Sequence, residues 1–215
     1  VIERILPEAA ASSEVFGDDP HARLLPGEEQ YVARAVEKRR REFTLARSCA
    51  RRALGDLGHP DFAVHSGERR EPLWPRGVVG SITHCKDYCA AAVAPATEMC
   101  SLGIDAETDE ALPDGVLGQV TVERERELLA GLPAGTNWDR LLFSAKESVY
   151  KAWFPLTGRW LGFEDAFVRI DPSGEFRAEL IEAPAPSSVG ELTGFSGRFR
   201  FESGLVITAV TVFSG

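Results

Sequence analysis

Phe143-Ser144-Ala145-Lys146-Glu147-Ser148-Val149-Tyr150-Lys151-Ala152-Trp153 is the centre of a longer run. Across it Trp138, Leu141, Leu142, Ala145, Val149 and Ala152 recur at offsets 0, 3, 4, 7, 11 and 14. That spacing is the period of an α-helix with one buried apolar stripe. Thr136 or Asn137 can cap its start, and Pro155 is expected to stop it, because proline brings no N–H and clashes one turn back. Opposite the stripe, Glu147 and Lys151 stand four apart, one above the other.

Strands surround this helix. Upstream, residues 78–83, 88–94 and 100–105 read as strands, the last two apolar nearly throughout and therefore interior. A Pro/Gly-bearing link at 112–118 and a polar helix at 122–130 follow. Downstream, 166–170, 176–181, 197–202 and 205–213 read as further strands. Near the start, 28–57 has helical spacing (Val32, Ala35, Val36, Phe43, Ala46, Ala50, Ala53, Leu54, Leu57) and is ended by Gly58 and Pro60. Residues 1–27 read as irregular or extended. The order of helix then strands thus occurs twice, which predicts an α+β chain of two similar halves meeting near residue 100.

The 215 residues are 44% hydrophobic and 27% charged, a globular composition with a sizeable core. No apolar stretch approaches the roughly 20 residues of a membrane helix. The start lacks the layout of a secretory signal, so a cytoplasmic location is expected. Cys49, Cys85, Cys89 and Cys100 form no CxxC pair, and with His84 they fall short of a zinc set, so they read as free thiols. Net charge is −9, yet Lys38, Arg39, Arg40, Arg41, Arg47, Arg51, Arg52, Arg69, Arg70 and Arg76 cluster in one region. Such a chain is poorly suited to coating nucleic acid and well suited to gripping a compact polyanion, because arginine forks match phosphate oxygens. Arg40, Arg47 and Arg51 fall on one helix face.

Gly103-Ile104-Asp105-Ala106-Glu107 puts two carboxylates on one face at a strand end. With Glu147 they make a hard-oxygen set of the kind Mg²⁺ prefers, and Lys151 adds charge suited to a pyrophosphate. Ser81-Ile82-Thr83-His84 ends a neighbouring strand. A Mg²⁺-dependent phosphohydrolase or nucleotidyl enzyme, and a non-catalytic binding protein, share parts of this pattern. A P-loop is excluded by the absence of GxxxxGK[ST].

The two segments at 103–107 and 143–153, with Trp74-Pro75-x-Gly77-x-x-Gly80-Ser81-x-Thr83-His84 and the arginine-rich stretch at 38–54, resemble the signature of Sfp-type 4′-phosphopantetheinyl transferases. They are most similar to the bacterial branch associated with siderophores and polyketides, mycobacterial members included. The resemblance spans about residues 28 to 170. It implies an α+β fold of two similar halves with pseudo-twofold symmetry, 1–100 and 101–215, and an active site in the cleft between them. It implies transfer of the 4′-phosphopantetheine of coenzyme A to a serine of acyl or peptidyl carrier proteins, with release of 3′,5′-ADP. By the same resemblance Asp105, Glu107 and Glu147 hold Mg²⁺ or Mn²⁺, Glu147 is the base and Lys151 assists the leaving group. Arg39, Arg47, Thr83, His84 and Lys151 contact coenzyme A, and Arg69 stands in for a lysine usual in that region. No nucleic acid or membrane partner is implied, a monomer is expected, and Arg51 and Arg52 would offer a basic surface to the carrier.

Overall fold

The computed structural model describes residues 1–214. A 3₁₀ turn at Ile2–Ile5 buries its two isoleucines and leads into β1 (Ala11–Phe16). The leading stretch, expected to be irregular or extended, is extended at β1 and irregular on either side of it apart from that 3₁₀ turn. Helix α1 spans Glu37–Asp56, nine residues shorter at its start than the apolar spacing indicated. The reason is Glu28, which is fully buried. Its carboxylate accepts the N–H groups of Leu25 and Val64 and the Arg51 guanidinium, which holds the preceding segment as a turn and a 3₁₀ helix, Glu29–Val32.

Two short strands, β2 (His65–Ser66) and β3 (Pro72–Leu73), form a ribbon before β4 (Val78–Cys85), β5 (Tyr88–Pro95) and β6 (Met99–Thr108). Helices α2 (Leu117–Val120), α3 (Glu123–Ala130) and α4 (Trp138–Thr157) follow. The chain closes with β7 (Ala166–Asp171), β8 (Glu175–Leu180), β9 (Ala185–Ser187), β10 (Gly190–Leu192), β11 (Gly194–Glu202) and β12 (Leu205–Phe213). One sheet has the order β1-β5-β4, the other β6-β12-β11-β8-β7. Each sheet carries one 20-residue helix, α1 on the first and α4 on the second.

Alternation along β5 explains the packing. Cys89, Ala91 and Val93 meet α1 at Cys49, Ala50 and Leu54, whereas Ala90 and Ala92 meet Ile104, Ala106, Ile207 and Ala209 of the second sheet. Both faces of β5 are thus dry, as its unbroken apolar run requires. Ile104 and Ala106 turn their backbone N–H groups away from β12 and toward β4. There the hydroxyls of Ser81 and Thr83 accept them, each at 3.0 Å. The two halves are joined by side-chain oxygens where a backbone ladder would otherwise run.

Helix α4 does not stop at Pro155; it continues to Thr157 and ends at Gly158 with φ 64°. In the last turn the ring costs one bond, to the Lys151 carbonyl, and the buried Trp153 and Leu156 hold the turn in place. Asn137 sits at the N-cap position, but its amide donates to Asp109 at 2.9 Å and caps nothing. Among the described residues no helix is long and apolar enough to cross a membrane.

Candidate active site

Gly103 decides where the chemistry sits. A Cβ on it would lie 2.0 Å from the Ser148 carbonyl oxygen and 2.7 Å from the Ala152 nitrogen. Only glycine lets α4 lie directly on β6. The Ser101 hydroxyl, donating to the Ala152 carbonyl at 2.7 Å, fastens the same crossing. Residues two apart on a strand share a face, so Asp105 and Glu107 emerge beside the helix turn that carries Glu147 and Lys151.

Lys151 passes over Glu147, its neighbour one turn back. Its Nζ donates to Asp105 Oδ1 at 2.8 Å and to the Ile104 carbonyl at 2.9 Å. Asp105 is 5% exposed, and its Oδ2 is buried without a hydrogen-bond partner. Glu107 is held by Arg140 at 3.1 Å, and the same guanidinium donates to the carbonyls of Glu110 and Ala111. Burial, then the nearby Asp105 charge, lifts the Glu107 carboxyl to about 7, despite Arg140. Burial and Asp105 likewise raise Glu147 above the usual carboxylate range. The three carboxylates lie near enough for the Asp105 charge to be felt at both Glu107 and Glu147. They are not drawn into a cage, however: among the described residues no three His, Cys, Asp or Glu side chains gather closely enough to enclose an ion. Lys151 and Arg140 occupy the charge that a cation would otherwise balance.

A cleft of about 1220 Å³ opens beside this cluster. Its charged lining is Arg34, Arg39, Arg47, Arg69, Arg70 and Lys151, against the single carboxylate Glu71, with His84 beside them. Arg47 is buried; Nε donates to the Val64 carbonyl at 2.7 Å, Nη2 to Ser66 at 2.8 Å, and the plane lies 4.1 Å over Phe43. Desolvation brings its pKa down to about 10, with Glu28 opposing, so it stays a cation at neutral pH. Arg39 donates to His84 Nε2 at 3.1 Å. Since a guanidinium can only donate, that nitrogen accepts and the imidazole is neutral, its proton on Nδ1. Desolvation lowers the His84 pKa, and the Arg39 and Lys151 cations push the same way. Arg69 reaches the cleft wall with its guanidinium 5.9 Å from the Phe154 ring. Upstream, Trp74 donates its indole N–H to the Gly80 carbonyl at 3.0 Å, which fixes the turn into β4.

Thr83, expected at coenzyme A, is 3% exposed and faces Asp105, apart from the residues that line the cleft. Arg51 and Arg52 offer no free basic surface, since Arg51 is closed against Glu28 and the Arg23 carbonyl, and Arg52 against Asp19. Of the face Arg40, Arg47 and Arg51, only Arg47 reaches the cleft, joined there by Arg39. Sequence reasoning missed Arg140, although Arg140, Glu147 and Lys151 share one helix face at spacings of seven and four. It also missed the buried Lys146–Glu125 pair at 2.8 Å, whose Glu125 accepts the Val122 and Val168 N–H groups and ties α3 to α4 and β7.

Residues 27–94 match the sequence model described as the 4′-phosphopantetheinyl transferase N-terminal domain, and 101–203 that of the 4′-phosphopantetheinyl transferase superfamily. Over 220 residues the chain is 51% identical to 4′-phosphopantetheinyl transferase Svp of Streptomyces mobaraensis, covering 99% of this chain and 89% of that protein. It is 46% identical to 4′-phosphopantetheinyl transferase Npt of Nocardia iowensis, covering 98% and 99%. It is 42% identical to 4′-phosphopantetheinyl transferase PptT of Mycobacterium tuberculosis over 222 residues, covering 99% and 98%.

Proposed function

The chain belongs to the 4′-phosphopantetheinyl transferase superfamily, and from that premise we propose that it moves the phosphopantetheine arm of coenzyme A onto a serine of acyl or peptidyl carrier proteins. The observation that carries this reading is the Lys151–Asp105 contact at the edge of an arginine-lined cleft, charge for a pyrophosphate next to carboxylates for a cation and a proton. Arg39, Arg47 and Arg69 grip the distal phosphates of coenzyme A, and neutral His84 offers its Nδ1–H to a phosphate oxygen. Glu147, raised above the usual carboxylate range, takes the proton of the carrier serine as its oxygen attacks the β-phosphate. The phosphoanhydride bond breaks, 3′,5′-ADP leaves, and Lys151 stabilises the charge that develops on it.

Asp105, Glu107 and Glu147 would hold the metal, Mg²⁺ or Mn²⁺. The orphaned Oδ2 of Asp105, and the burial and Asp105 charge that raise Glu107 and Glu147, suit a hard divalent ion. When bound, such an ion supplies Lewis-acid neutralisation of the pyrophosphate. The boundary between halves, 1–100 and 101–215, is supported by the two family matches, which part between 94 and 101. The enzyme acts in the cytoplasm as a monomer, without a nucleic acid or membrane partner.

The test is the intact mass of an apo carrier protein after incubation with the chain, coenzyme A and Mg²⁺. We expect the gain of one phosphopantetheine, abolished by EDTA and by Asp105→Ala. No gain on fatty-acid, polyketide and peptidyl carriers alike would overturn the reading.

A further inference from the structure

Thr83 occupies the seam between the halves, and its hydroxyl has two partners. It accepts the Ala106 N–H at 3.0 Å and is 3.3 Å from Asp105 Oδ1, to which it donates its own proton. Lys151 holds that same oxygen at 2.8 Å. With Oδ1 fixed from two sides, the carboxylate has one orientation, and Oδ2 is the oxygen left over, buried and unpartnered. Ser81, one strand pair earlier, provides an internal comparison. Its hydroxyl accepts the Ile104 N–H at 3.0 Å and touches no carboxylate. A hydroxyl at these positions is thus enough to join the strands; only at 83 does it also reach an acid.

We propose that Thr83 is a positioning residue for the metal site, acting through Asp105 by holding Oδ1 so that Oδ2 is presented to a divalent cation, and that it makes no contact with coenzyme A. This rests on the reading of Asp105 as a metal ligand. Hydrogen-bond partners of metal-binding carboxylates, when removed, commonly cost 10–100-fold in metal affinity.

The experiment is a Mn²⁺ titration of the full chain followed by electron paramagnetic resonance with coenzyme A saturating, paired with coenzyme A affinity measured calorimetrically in EDTA. Thr83→Val removes donor and acceptor at nearly constant volume, Thr83→Ser keeps both, and Ser81→Ala removes a seam bond without touching Asp105. For Thr83→Val we expect Mn²⁺ affinity to fall at least about 10-fold, with coenzyme A affinity in EDTA within about twofold of wild type. Thr83→Ser should restore Mn²⁺ binding, and Ser81→Ala should leave it within about twofold. Should the valine variant not fold, Thr83→Cys, a weaker donor and acceptor of similar size, is expected to show the same loss. Unchanged Mn²⁺ affinity, or a selective loss of coenzyme A affinity, overturns the role of Thr83 while leaving the metal site standing. Mn²⁺ binding that survives Asp105→Ala overturns the metal assignment and this proposal with it.

Discussion

His84 shows how a single residue's surroundings set a measurable pH dependence. Its pKa lies below the ordinary value of about 6.5, chiefly through desolvation, then through the Arg39 and Lys151 cations. Above that value the imidazole is neutral whether the chain is folded or not. Below it the unfolded chain takes up a proton that the folded chain refuses, so stability falls with falling pH. Glu107 acts in the opposite sense: its carboxyl, lifted to about 7, takes up a proton in the folded state first and adds stability as pH drops from about 7 toward its unfolded value. The comparison must therefore be made between proteins. His84→Gln should lose less stability than wild type between pH 7 and 5.5 in urea titrations, and parallel declines would refute the assignment. Buried Lys146 makes a stronger claim. Lys146→Met leaves the Glu125 carboxylate, 1% exposed, without its cation, and removal of one partner of such a pair costs about 3–5 kcal/mol. A loss under 1 kcal/mol in the same titration would contradict that account.

At the scale of elements, the crossing of α4 over β6 is what makes a site from separated motifs. The methyl of Gly103→Ala would meet backbone atoms of Ser148, which no rotamer change can move aside. Overpacking of this kind typically costs about 1–3 kcal/mol, and here the strain falls on the helix that carries Glu147 and Lys151. Gly103→Ala is expected to lower the melting temperature by several degrees and to depress kcat more than it raises KM for coenzyme A. That follows because the arginines of the cleft stand on α1, on the turn just before it (Arg34) and on the segment between β2 and β3. An unchanged kcat would show that α4 can retreat without disturbing Asp105. The helix spacing was legible in the sequence, down to the face shared by Glu147 and Lys151. The partner of Lys151 was not. An i,i+4 neighbour is always near, but the carboxylate on β6 comes from 46 residues away and is brought in only by the glycine crossing.

Across the whole molecule, the halves share a core. Ala90 and Ala92 of the first sheet pack with Ile104, Ala106 and Ile207 of the second, and two hydroxyl-to-backbone bonds close the edge. Neither sheet keeps its dry face if the other leaves. Thermal unfolding followed by circular dichroism and by tryptophan fluorescence should accordingly show one transition with coincident midpoints. Trp74 would report the first half, and Trp138 and Trp153 the second. Two resolved transitions would mean that the seam contributes little.

The sequence alone determined the pattern of elements, because periodicity, glycine and proline act over a few residues: β4, β5, β6, α4 and the final strand pair all stand where their spacing placed them. It also determined the family resemblance, carried by two motifs in order at 103–107 and 143–153. Tertiary structure alone decided the pairings. Arg51 and Arg52 were spent on Glu28 and Asp19, Arg140 was recruited to Glu107, and Thr83 was turned from the cleft toward Asp105. A charge or a hydroxyl is satisfied by whatever partner packing brings within about 3 Å, and that partner is set by how two sheets and two helices meet, which no local spacing records.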